Sequence, residues 1–566
     1  MIRHIVLVVA ALAASLASAV RASALDREAF TFTRYELEVR ISPETSAFDA
    51  RGRIVLRNDS KTPQNAVALQ ISSSLSWASV QSEGKPLTYV ESTYTSDVDH
   101  TGALSEAIVS VPAVPPKGTI ELTVRYGGAI RLDATRLTRI GVPAGLARRN
   151  EWDTIGPSFT GFRGVGYVAW YPVAMEAASL SEGNRVASVL GTWKQRHAAS
   201  SMQASIEFTG GQLRTSADEC TPATQATGLT RQTCTFRSLS TVPTLALGNY
   251  ETFARPAMRI AYLPLRSDAM QEWAGALERL LPTFVEWFGR QQRPVTVVDM
   301  ANADMAPFET NNVLFAPLQP MTQRELESML AHHVAHAFFE SPRPWIDEGL
   351  AHFLQVLWRE KQEGRRTALA HLKAARAPLA QAEKQAAAVS GGQPLVNAAD
   401  EVFHRSKGMF VWWMLRDMVG EQAVLRALRN YIPAQDKDPT YVQSLIRVQD
   451  ARDLEWFFDD WVYRDKGLPD FKVATAFSRE LLGLGDAQGA YSVTVTVENT
   501  GDAGAEVPVI VRTARGEVQQ KVEVRGKSKG VVRIQVPAAP VDIVVNDGSV
   551  PEAETGNNTY VVTGTK

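Results

Sequence analysis

The sequence predicts a multidomain α+β protein, because three stretches of the chain carry three different hydrophobic patterns. At 566 residues the chain is long enough for several domains. Short apolar runs separated by turn residues fill residues 28–255, whereas residues 256–473 become helical after a mixed start. Clean alternation of apolar and polar residues returns in residues 485–566. We therefore expect one domain in each of these three ranges.

The first and last ranges both indicate antiparallel β-structure. Residues 28–255 favour a β-sandwich-like domain, since their apolar runs are short and bounded by turns. In the last range, residues 491–497 alternate strictly and residues 499–502 supply turn chemistry. Further strands are expected over residues 507–511, 522–524, 531–536 and 541–545. Their spacing is typical of an immunoglobulin-like β-sandwich, which we expect to pack against the middle domain.

The middle range is expected to be mixed at its start and helical afterwards. An amphipathic pattern predicts a helix over residues 268–288, and a short apolar run predicts a strand over residues 295–298. Later helices are expected over residues 366–388, 409–431 and 454–463. Pro378 is expected to kink or split the first of these three.

Residues 1–24 have the form of a secretory signal peptide. A basic start precedes an apolar stretch, residues 5–16, which is too short to span a membrane comfortably. Small residues at positions 22–24 form a plausible cleavage site, and residues 17–19 are the alternative site. If the segment is not cleaved, it would instead serve as a membrane anchor. We expect an exported protein, periplasmic or secreted, with no transmembrane segment after cleavage.

The net charge indicates which classes of partner are not expected. The formal net charge is −2, and it becomes −4 without the two arginines of residues 1–24, so nucleic acid is not an expected partner.

Cys220 and Cys234 are the two cysteines of the sequence, and they flank a turn-rich stretch, residues 221–228. In an exported protein we expect them to form a disulfide; two buried free thiols are the alternative.

Histidines cluster in one part of the middle range. The chain has nine histidines, and four of them lie within 21 residues, at positions 332, 333, 336 and 352. Thr322 and Glu325 form a capping-box pattern that starts a helix expected over residues 323–339. His332 and His336 are four residues apart, so they face the same side of that helix and can bind one metal ion.

Glu348 is the expected third ligand of that ion. Residues 341–344 break the first helix, and a second helix is expected to start near Trp345. In an antiparallel pair with about 8–10 Å between the helix axes, His336 and Glu348 lie at a similar height and can meet. Three protein ligands and one open position are typical of catalytic zinc, so we expect one Zn²⁺ held with His332 as well. A chance histidine-rich helix is the alternative.

These residues resemble the zinc-binding motif of the membrane alanyl aminopeptidase family, a group of gluzincin zinc metallopeptidases. His332, His336 and Glu348 match the family's zinc ligands, and His333 stands where the family has its catalytic glutamate. Other segments that resemble the family, in the same order, are residues 35–41, 48–54, 169–173 and 453–461. The resemblance implies a thermolysin-like catalytic domain over residues 256–473, one bound zinc ion, and a peptide or protein substrate cut at its N-terminus.

In this family a glutamate shortly before the zinc helix binds the free α-amine of the substrate. Glu309 lies in the corresponding place, 23 residues before His332, and the resemblance implies the same role for it. Only the glutamate of that family motif is matched in place. The alternative is an ordinary acidic residue in the loop before a strand at residues 313–316.

The residue at the base position departs from the family pattern. The family's glutamate takes a proton from water and delivers it to the leaving amine, help that is typically worth about 100- to 10,000-fold in rate. His333 has three interpretations: a working but poorer base, a remnant in a dead site, or a structural residue packed beside the apolar face of its helix. We favour a dead or strongly weakened site.

A second departure lies downstream. Where the family has a tyrosine that supports the tetrahedral intermediate, residues 402–409 contain none. Phe403 cannot donate a hydrogen bond, so His404 or Arg405 would have to replace it. Losing such a donor typically costs about 100- to 1,000-fold in rate.

A third departure is the length of the link between His336 and Glu348, which is shorter than in the family. A shorter link changes the wall of the cleft, so the family's substrate preference does not carry over.

The leading hypothesis is an exported, zinc-binding, aminopeptidase-like protein with weakened or lost hydrolysis. If it is active, Glu309 would anchor the N-terminal amine and His333 would carry the proton. A non-catalytic pseudopeptidase that binds peptides or proteins in the same cleft is the second hypothesis. A scaffold that uses its C-terminal sandwich as a contact surface is the third.

Overall fold

Many β-sheets and several helices make up the chain, as expected for a multidomain α+β protein. The computed structural model describes residues 25–390, 392–481 and 489–562. The expected signal peptide, residues 1–24, lies outside the described residues. Within the described ranges, no helix is both long enough and apolar enough to cross a membrane.

The strands of the described residues form six sheets. In chain order the strands are β1 (Phe30–Ser42), β2 (Ala47–Asn58), β3 (Gln64–Ser72), β4 (Leu75–Ser82), β5 (Lys85–Pro86), β6 (Tyr89–Thr95), β7 (Ala103–Val114), β8 (Thr119–Ala129), β9 (Thr160–Phe162), β10 (Ser201–Phe208), β11 (Gln212–Thr215), β12 (Glu219–Cys220), β13 (Thr224–Ala226), β14 (Leu229–Phe236), β15 (Leu245–Gly248), β16 (Glu251–Arg255), β17 (Met258–Tyr262), β18 (Val295–Asp299), β19 (Phe308–Thr310), β20 (Val313–Ala316), β21 (Phe471–Glu480), β22 (Tyr491–Asn499), β23 (Ala505–Thr513), β24 (Gly516–Val524), β25 (Lys529–Val536), β26 (Pro540–Val545) and β27 (Thr559–Val561).

The α-helices concentrate between residues 267 and 458. In chain order they are α1 (Thr135–Arg139), α2 (Ala144–Asn150), α3 (Arg185–Arg196), α4 (Ser267–Phe288), α5 (Gln323–Phe338), α6 (Pro344–Glu363), α7 (Arg365–Ser390), α8 (Gly408–Val419), α9 (Glu421–Arg429), α10 (Tyr441–Gln449) and α11 (Glu455–Phe458).

Strands β1–β15 form three of the sheets. The largest has nine strands, in the order β12-β14-β10-β1-β2-β8-β4-β5 with β13 paired to β14, and two three-stranded sheets, β3-β7-β6 and β11-β15-β9, accompany it. Buried Tyr35, Leu37 and Val39 alternate with more exposed polar residues along β1, so one face of the strand contributes to the core. Cys220 and Cys234 lie directly opposite each other in β12 and β14, and a disulfide joins them.

A five-stranded sheet, in the order β16-β17-β18-β20-β19, supports the helices of the middle region. Its three inner strands β17, β18 and β20 are parallel, whereas the edge strands β16 and β19 are antiparallel to their neighbours. Leu277 and Leu280 of α4 share one buried cluster with Leu330 and Val334 of α5 and with Val297 of β18. Helix α5 packs in turn against α6, and α6 packs against α8.

Three of the expected helices differ in detail from the structure. The helix expected over residues 409–431 is divided into α8 and α9, because Gly420 takes a φ of 88° that ends α8. Helix α7 includes Pro378 and is not split there. The helix expected over residues 454–463 continues after α11 as a π-helix, Asp459–Tyr463.

Strands β21–β27 form two sheets, β21-β22-β25 and β24-β23-β26-β27. Buried valines alternate along β22 and β23 and enter the same core as the helices of the middle region. Strand β21 falls partly between the two expected domains and pairs with β22. The Trp461 indole N–H donates to the Gly504 carbonyl at 2.8 Å, and Asp460 accepts from the Gly504 N–H at 2.9 Å. These bonds connect the C-terminal sheets to the end of the helical region.

A buried histidine links the end of α3 to the large sheet. His197 has no exposed surface, and its ring stacks on Trp193 with 3.5 Å between the ring centres. Its Nε2 accepts a hydrogen bond from the Phe32 N–H at 3.2 Å, so the hydrogen of the neutral ring is on Nδ1 and is donated to the Trp193 carbonyl at 2.8 Å. Burial lowers the pKa of His197 to about 4, and the folded state therefore requires the neutral form.

We predict that His197 makes the folded state less stable in acid. Its pKa is about 4 when folded and about 6.5 when unfolded, so the unfolded state binds more protons between these two pH values. The stability that neutral His197 contributes to the folded state is fully present above about pH 6.5. As the pH falls from about 6.5 to about 4, the free energy of unfolding decreases by about 3 kcal/mol. The measurement is the free energy of unfolding by urea across this pH range.

The matched variant is His197→Gln, which keeps one donor and one acceptor but does not titrate. The difference in unfolding free energy between wild type and variant should change with pH only between about 4 and 6.5. A difference that is constant over this range would show that the protonation of His197 does not affect folding.

Candidate functional site

Helix α5 presents its histidines on two faces. Thr322 and Glu325 close a capping box at the start of the helix, as the sequence predicted. His333 is only 1% exposed and points at the five-stranded sheet. His332 and His336 lie on the side that faces α6, where each has a carboxylate within 4 Å. The same helix therefore directs one histidine at the sheet and two histidines at a site between the helices.

Helix α6 begins at Pro344, directly after the loop that ends α5. Proline suits this first turn because its missing N–H would have no partner there. Asp347 accepts a hydrogen bond from the Ser341 N–H at 2.8 Å, which fixes the start of the helix. Glu348 and His352 are four residues apart and therefore project from the same side of α6.

Two overlapping sets of side chains that could hold a metal ion lie between β19, α5 and α6. One set is Glu309, His332 and His336, and the other is His332, Glu348 and His352; within each set the ligand atoms lie within 4.8 Å of one another. His332 belongs to both sets, because its Nε2 is 3.7 Å from Oε2 of Glu309 and 3.9 Å from Oε2 of Glu348. The three predicted zinc ligands thus lie in one cluster: His336 belongs to the first set, Glu348 to the second, and His332 to both.

The donors of this cluster fit a zinc ion. When zinc bonds are about 2.0–2.2 Å long, two donor atoms of a tetrahedral ion lie about 3.4 Å apart. The observed distance from Nε2 of His332 to Oε2 of Glu348 is 3.9 Å, so a small movement would bring both atoms to a zinc ion. Nδ1 of His332 is buried and has no hydrogen-bond partner among the described residues. Burial lowers the pKa of His332 to about 3 and that of His352 well below its usual value. Both rings are therefore neutral, as metal binding requires.

His336 is held by an acidic residue of the neighbouring helix. Its Nδ1 lies 3.5 Å from Oδ2 of Asp347. Burial disfavours the charged imidazole, but the interaction with Asp347 outweighs burial and raises the pKa of His336 to about 10. The contact uses Nδ1, so Nε2 is the nitrogen left to bind a metal. A carboxylate in this position commonly orients a metal-binding histidine.

Both ring nitrogens of His333 are hydrogen-bonded within the protein. Nδ1 is 2.5 Å from Oε1 of Glu309, and Nε2 is 3.0 Å from the Thr296 carbonyl. A carbonyl only accepts, so the hydrogen on Nε2 is donated to Thr296. The close contact between Nδ1 and Glu309 then requires a further proton between them. Neither nitrogen of His333 has a lone pair left for a third partner.

Glu309 lies on β19, the edge strand of the sheet nearest this cluster. The turn after it, Asn311–Asn312, has φ values of 47° and 60°, which asparagine tolerates in tight hairpins. The Asn311 side chain donates to the Ser216 carbonyl at 2.7 Å, so a residue of the preceding β-region fixes the hairpin. Burial opposes ionisation of Glu309, but the interaction with His333 outweighs burial and holds the pKa of this carboxyl well below its usual range.

His404 and Arg405, the two residues expected from the sequence as possible oxyanion donors, lie on a π-helical turn, Phe403–Lys407. Nε2 of His404 donates to the Ala398 carbonyl at 2.7 Å. Burial lowers the pKa of His404, so its neutral ring has no second N–H to offer. Arg405 is paired with Glu401 at 3.2 Å, and its side chain is about half exposed.

His352 also belongs to this cluster, although the sequence was not expected to place it there. A signal for it was present, because it follows Glu348 by four residues and must share its side of the helix. The Thr296 carbonyl, by contrast, gives no sequence signal, since every residue has a backbone carbonyl. Its role depends entirely on the position of β18 beneath α5.

No protein-family model and no curated protein matches the chain. Solved M1 zinc metallopeptidases are among its structural neighbours, all at low sequence identity. The M1 zinc metallopeptidase from Deinococcus radiodurans is 16% identical over 77% of this chain and 94% of its own, with a TM-score of 0.47. A two-domain M1 zinc metallopeptidase variant bound to L-arginine is 17% identical over 77% and 94%, with a TM-score of 0.48. A further variant bound to L-tryptophan is 16% identical over 77% and 95%, with a TM-score of 0.48.

We predict that the pair of His333 and Glu309 stabilises the folded state. His333→Leu keeps the side-chain volume but removes both hydrogen bonds, and it should lower the free energy of unfolding by about 2–3 kcal/mol. A double-mutant cycle with Glu309→Gln should give a coupling energy of about 1 kcal/mol or more. The measurement is urea unfolding of the wild type, both single variants and the double variant.

The control is His332→Leu, one residue away on the same helix. Within the part of the chain that the structure describes, Nδ1 of His332 is buried and has no hydrogen-bond partner, so replacing His332 should cost less stability than replacing His333. Equal losses at the two positions, with no coupling between positions 333 and 309, would show that His333 does not join the helix to the sheet.

Proposed function

We propose that the chain is an exported, zinc-binding, aminopeptidase-like protein in which peptide hydrolysis is strongly weakened or lost. The hydrogen bonding of His333 is the observation that carries this proposal. Its two nitrogens are engaged by Glu309 and Thr296, and the side chain is buried. The residue at the base position therefore has no lone pair with which to accept a proton from water.

The resemblance to the aminopeptidase family supports His332, His336 and Glu348 as the zinc ligands. When bound, zinc polarises a peptide carbonyl and makes a water molecule more acidic. The neutral imidazole of His332 and the fixed orientation of His336 by Asp347 are suited to holding the ion. The protein part of the site thus retains binding groups while its proton-transfer group is engaged elsewhere.

The second catalytic role is also weakened in this site. A donor to the developing oxyanion needs an N–H or O–H directed at the substrate. His404 uses its N–H on the Ala398 carbonyl, and Phe403 has none. Arg405 is the remaining candidate, and its pairing with Glu401 at 3.2 Å competes with that role. Losses in two separate roles support weak or absent turnover more strongly than either alone.

Glu309 supports a second candidate function, the binding of peptide or protein N-termini without cleavage. One of its oxygens contacts His333, and the other, Oε2, lies 3.7 Å from Nε2 of His332. A free α-amine could pair with this second oxygen beside the metal ligands. Under this alternative the chain is a pseudopeptidase, in which His332, His336 and Glu348 would hold an ion that supplies a Lewis acid for the carbonyl of a bound peptide.

Export rests on the sequence of residues 1–24, whose form is that of a signal peptide. When the full chain is produced in a bacterium, mass spectrometry of the periplasmic fraction should find an N-terminus near residue 25. A cytoplasmic protein that keeps these residues would contradict export and would leave the proposed site chemistry unaffected.

We predict that the zinc-loaded wild type hydrolyses aminoacyl amides and short peptides poorly or not at all. His333→Glu should raise the rate by about 100-fold or more, because a carboxylate at this position can serve as general base. Glutamate cannot donate to the Thr296 carbonyl, so its carboxylate is freed from the sheet. The measurement is the initial rate of release of the N-terminal amino acid, with and without a zinc chelator.

The matched control is His333→Gln, which changes the same position but supplies no base and should remain as slow as the wild type. Rapid wild-type turnover that a chelator abolishes would refute the loss of hydrolysis. For the binding alternative, calorimetry with the wild type should detect a peptide that has a free N-terminus and should detect weaker binding after N-acetylation. Equal binding of both peptides would exclude recognition of the amine by Glu309.

A further inference from the structure

His352 is a member of the metal-binding cluster that the proposed function does not use. It lies on α6, one turn after Glu348, and its ring centre is 4.4 Å from that of His332. The ligand atoms of His332, Glu348 and His352 all lie within 4.8 Å of one another. A second histidine thus approaches His332 from the neighbouring helix, on the side of Glu348.

The chemistry and rigidity of this group favour a transition-metal ion. Two imidazoles and one carboxylate are a donor set that Zn²⁺ prefers, whereas Mg²⁺ and Ca²⁺ prefer oxygen ligands. Glu348 and His352 are four residues apart on one helix, so their relative position is set by the helix itself. His332 comes from α5, which packs directly against α6. Only small side-chain movements are needed to close the three donors on one ion.

We infer that His352 is a protein ligand of the bound zinc ion, together with His332 and Glu348. The inference rests on the zinc binding of the proposed function and deepens it. His336 is on the same side of α5, with its ring centre 5.1 Å from that of His332. Four protein ligands would fill the position that water takes in a catalytic zinc site, as in structural zinc sites. Water would then have to displace one of these ligands before it could react, which would slow hydrolysis further without removing the effect of a base at position 333.

The test measures metal binding rather than activity. Metal-free full-length protein is titrated with Zn²⁺ in competition with a chromophoric chelator, and with Co²⁺ while the visible absorption is recorded. His352→Ala and the bulkier His352→Gln should each bind zinc roughly 100-fold more weakly than the wild type or worse, since even residues that only support a ligand cost 10- to 100-fold. Their cobalt spectra should differ from that of the wild type, because the ligand set has changed.

The matched control is His371→Ala, on the neighbouring helix α7. Nδ1 of His371 is 3.0 Å from Arg359, and His371 belongs to neither metal-binding set. This variant should bind zinc like the wild type. Circular dichroism and thermal unfolding of the metal-free variants identify any loss of affinity that arises from misfolding, and His352→Gln preserves most of the side-chain volume if the alanine variant does not fold.

The outcomes separate this inference from the proposed function. Unchanged zinc affinity and cobalt spectra in both His352 variants, with one ion bound by the wild type, would overturn His352 as a ligand and leave the proposed function intact. No zinc binding by the wild type would overturn both. Zinc binding through His352 together with rapid, chelator-sensitive hydrolysis would contradict the proposed function alone.

Discussion

The packing of α5 against the five-stranded sheet determines what every side chain of the site can do, since the helix must bury one face and offers another to α6. His333 falls on the buried face, where an unpaired polar group would be costly. Its ring is satisfied by Glu309 on β19 and by the Thr296 carbonyl on β18. His333 therefore joins a helix to a sheet in this protein.

The electrostatic environments of His332 and His336 differ although they are one helical turn apart. Burial dominates for His332 and lowers its pKa to about 3, whereas Asp347 outweighs burial for His336 and raises its pKa to about 10. Asp347 is itself fixed by the Ser341 N–H, so the difference originates in the tight link between α5 and α6. A metal ion in this cluster would meet one neutral ring and would displace a proton from the other.

Regions outside the helices contribute to the site by fixing β19. The Trp152 indole donates to the Ala306 carbonyl at 3.2 Å, and the Thr310 hydroxyl accepts from the Val242 N–H at 3.0 Å. These contacts come from the β-rich part of the chain and bracket Glu309 on both sides. The carboxylate is thus held at the edge of the sheet, beside His332, by residues far away in sequence.

Local signals determined much of this protein from its sequence alone. The capping box at Thr322, the helix break before Pro344 and the spacing of His332 and His336 act over a few residues, so the two helices and their shared face were predictable. Tertiary structure alone decided the partners of His333 across elements: the Thr296 carbonyl on β18 and the Glu309 carboxylate on β19. Such contacts depend on how distant segments pack, because every residue has a backbone carbonyl and its neighbours in sequence do not reveal which group that carbonyl will meet.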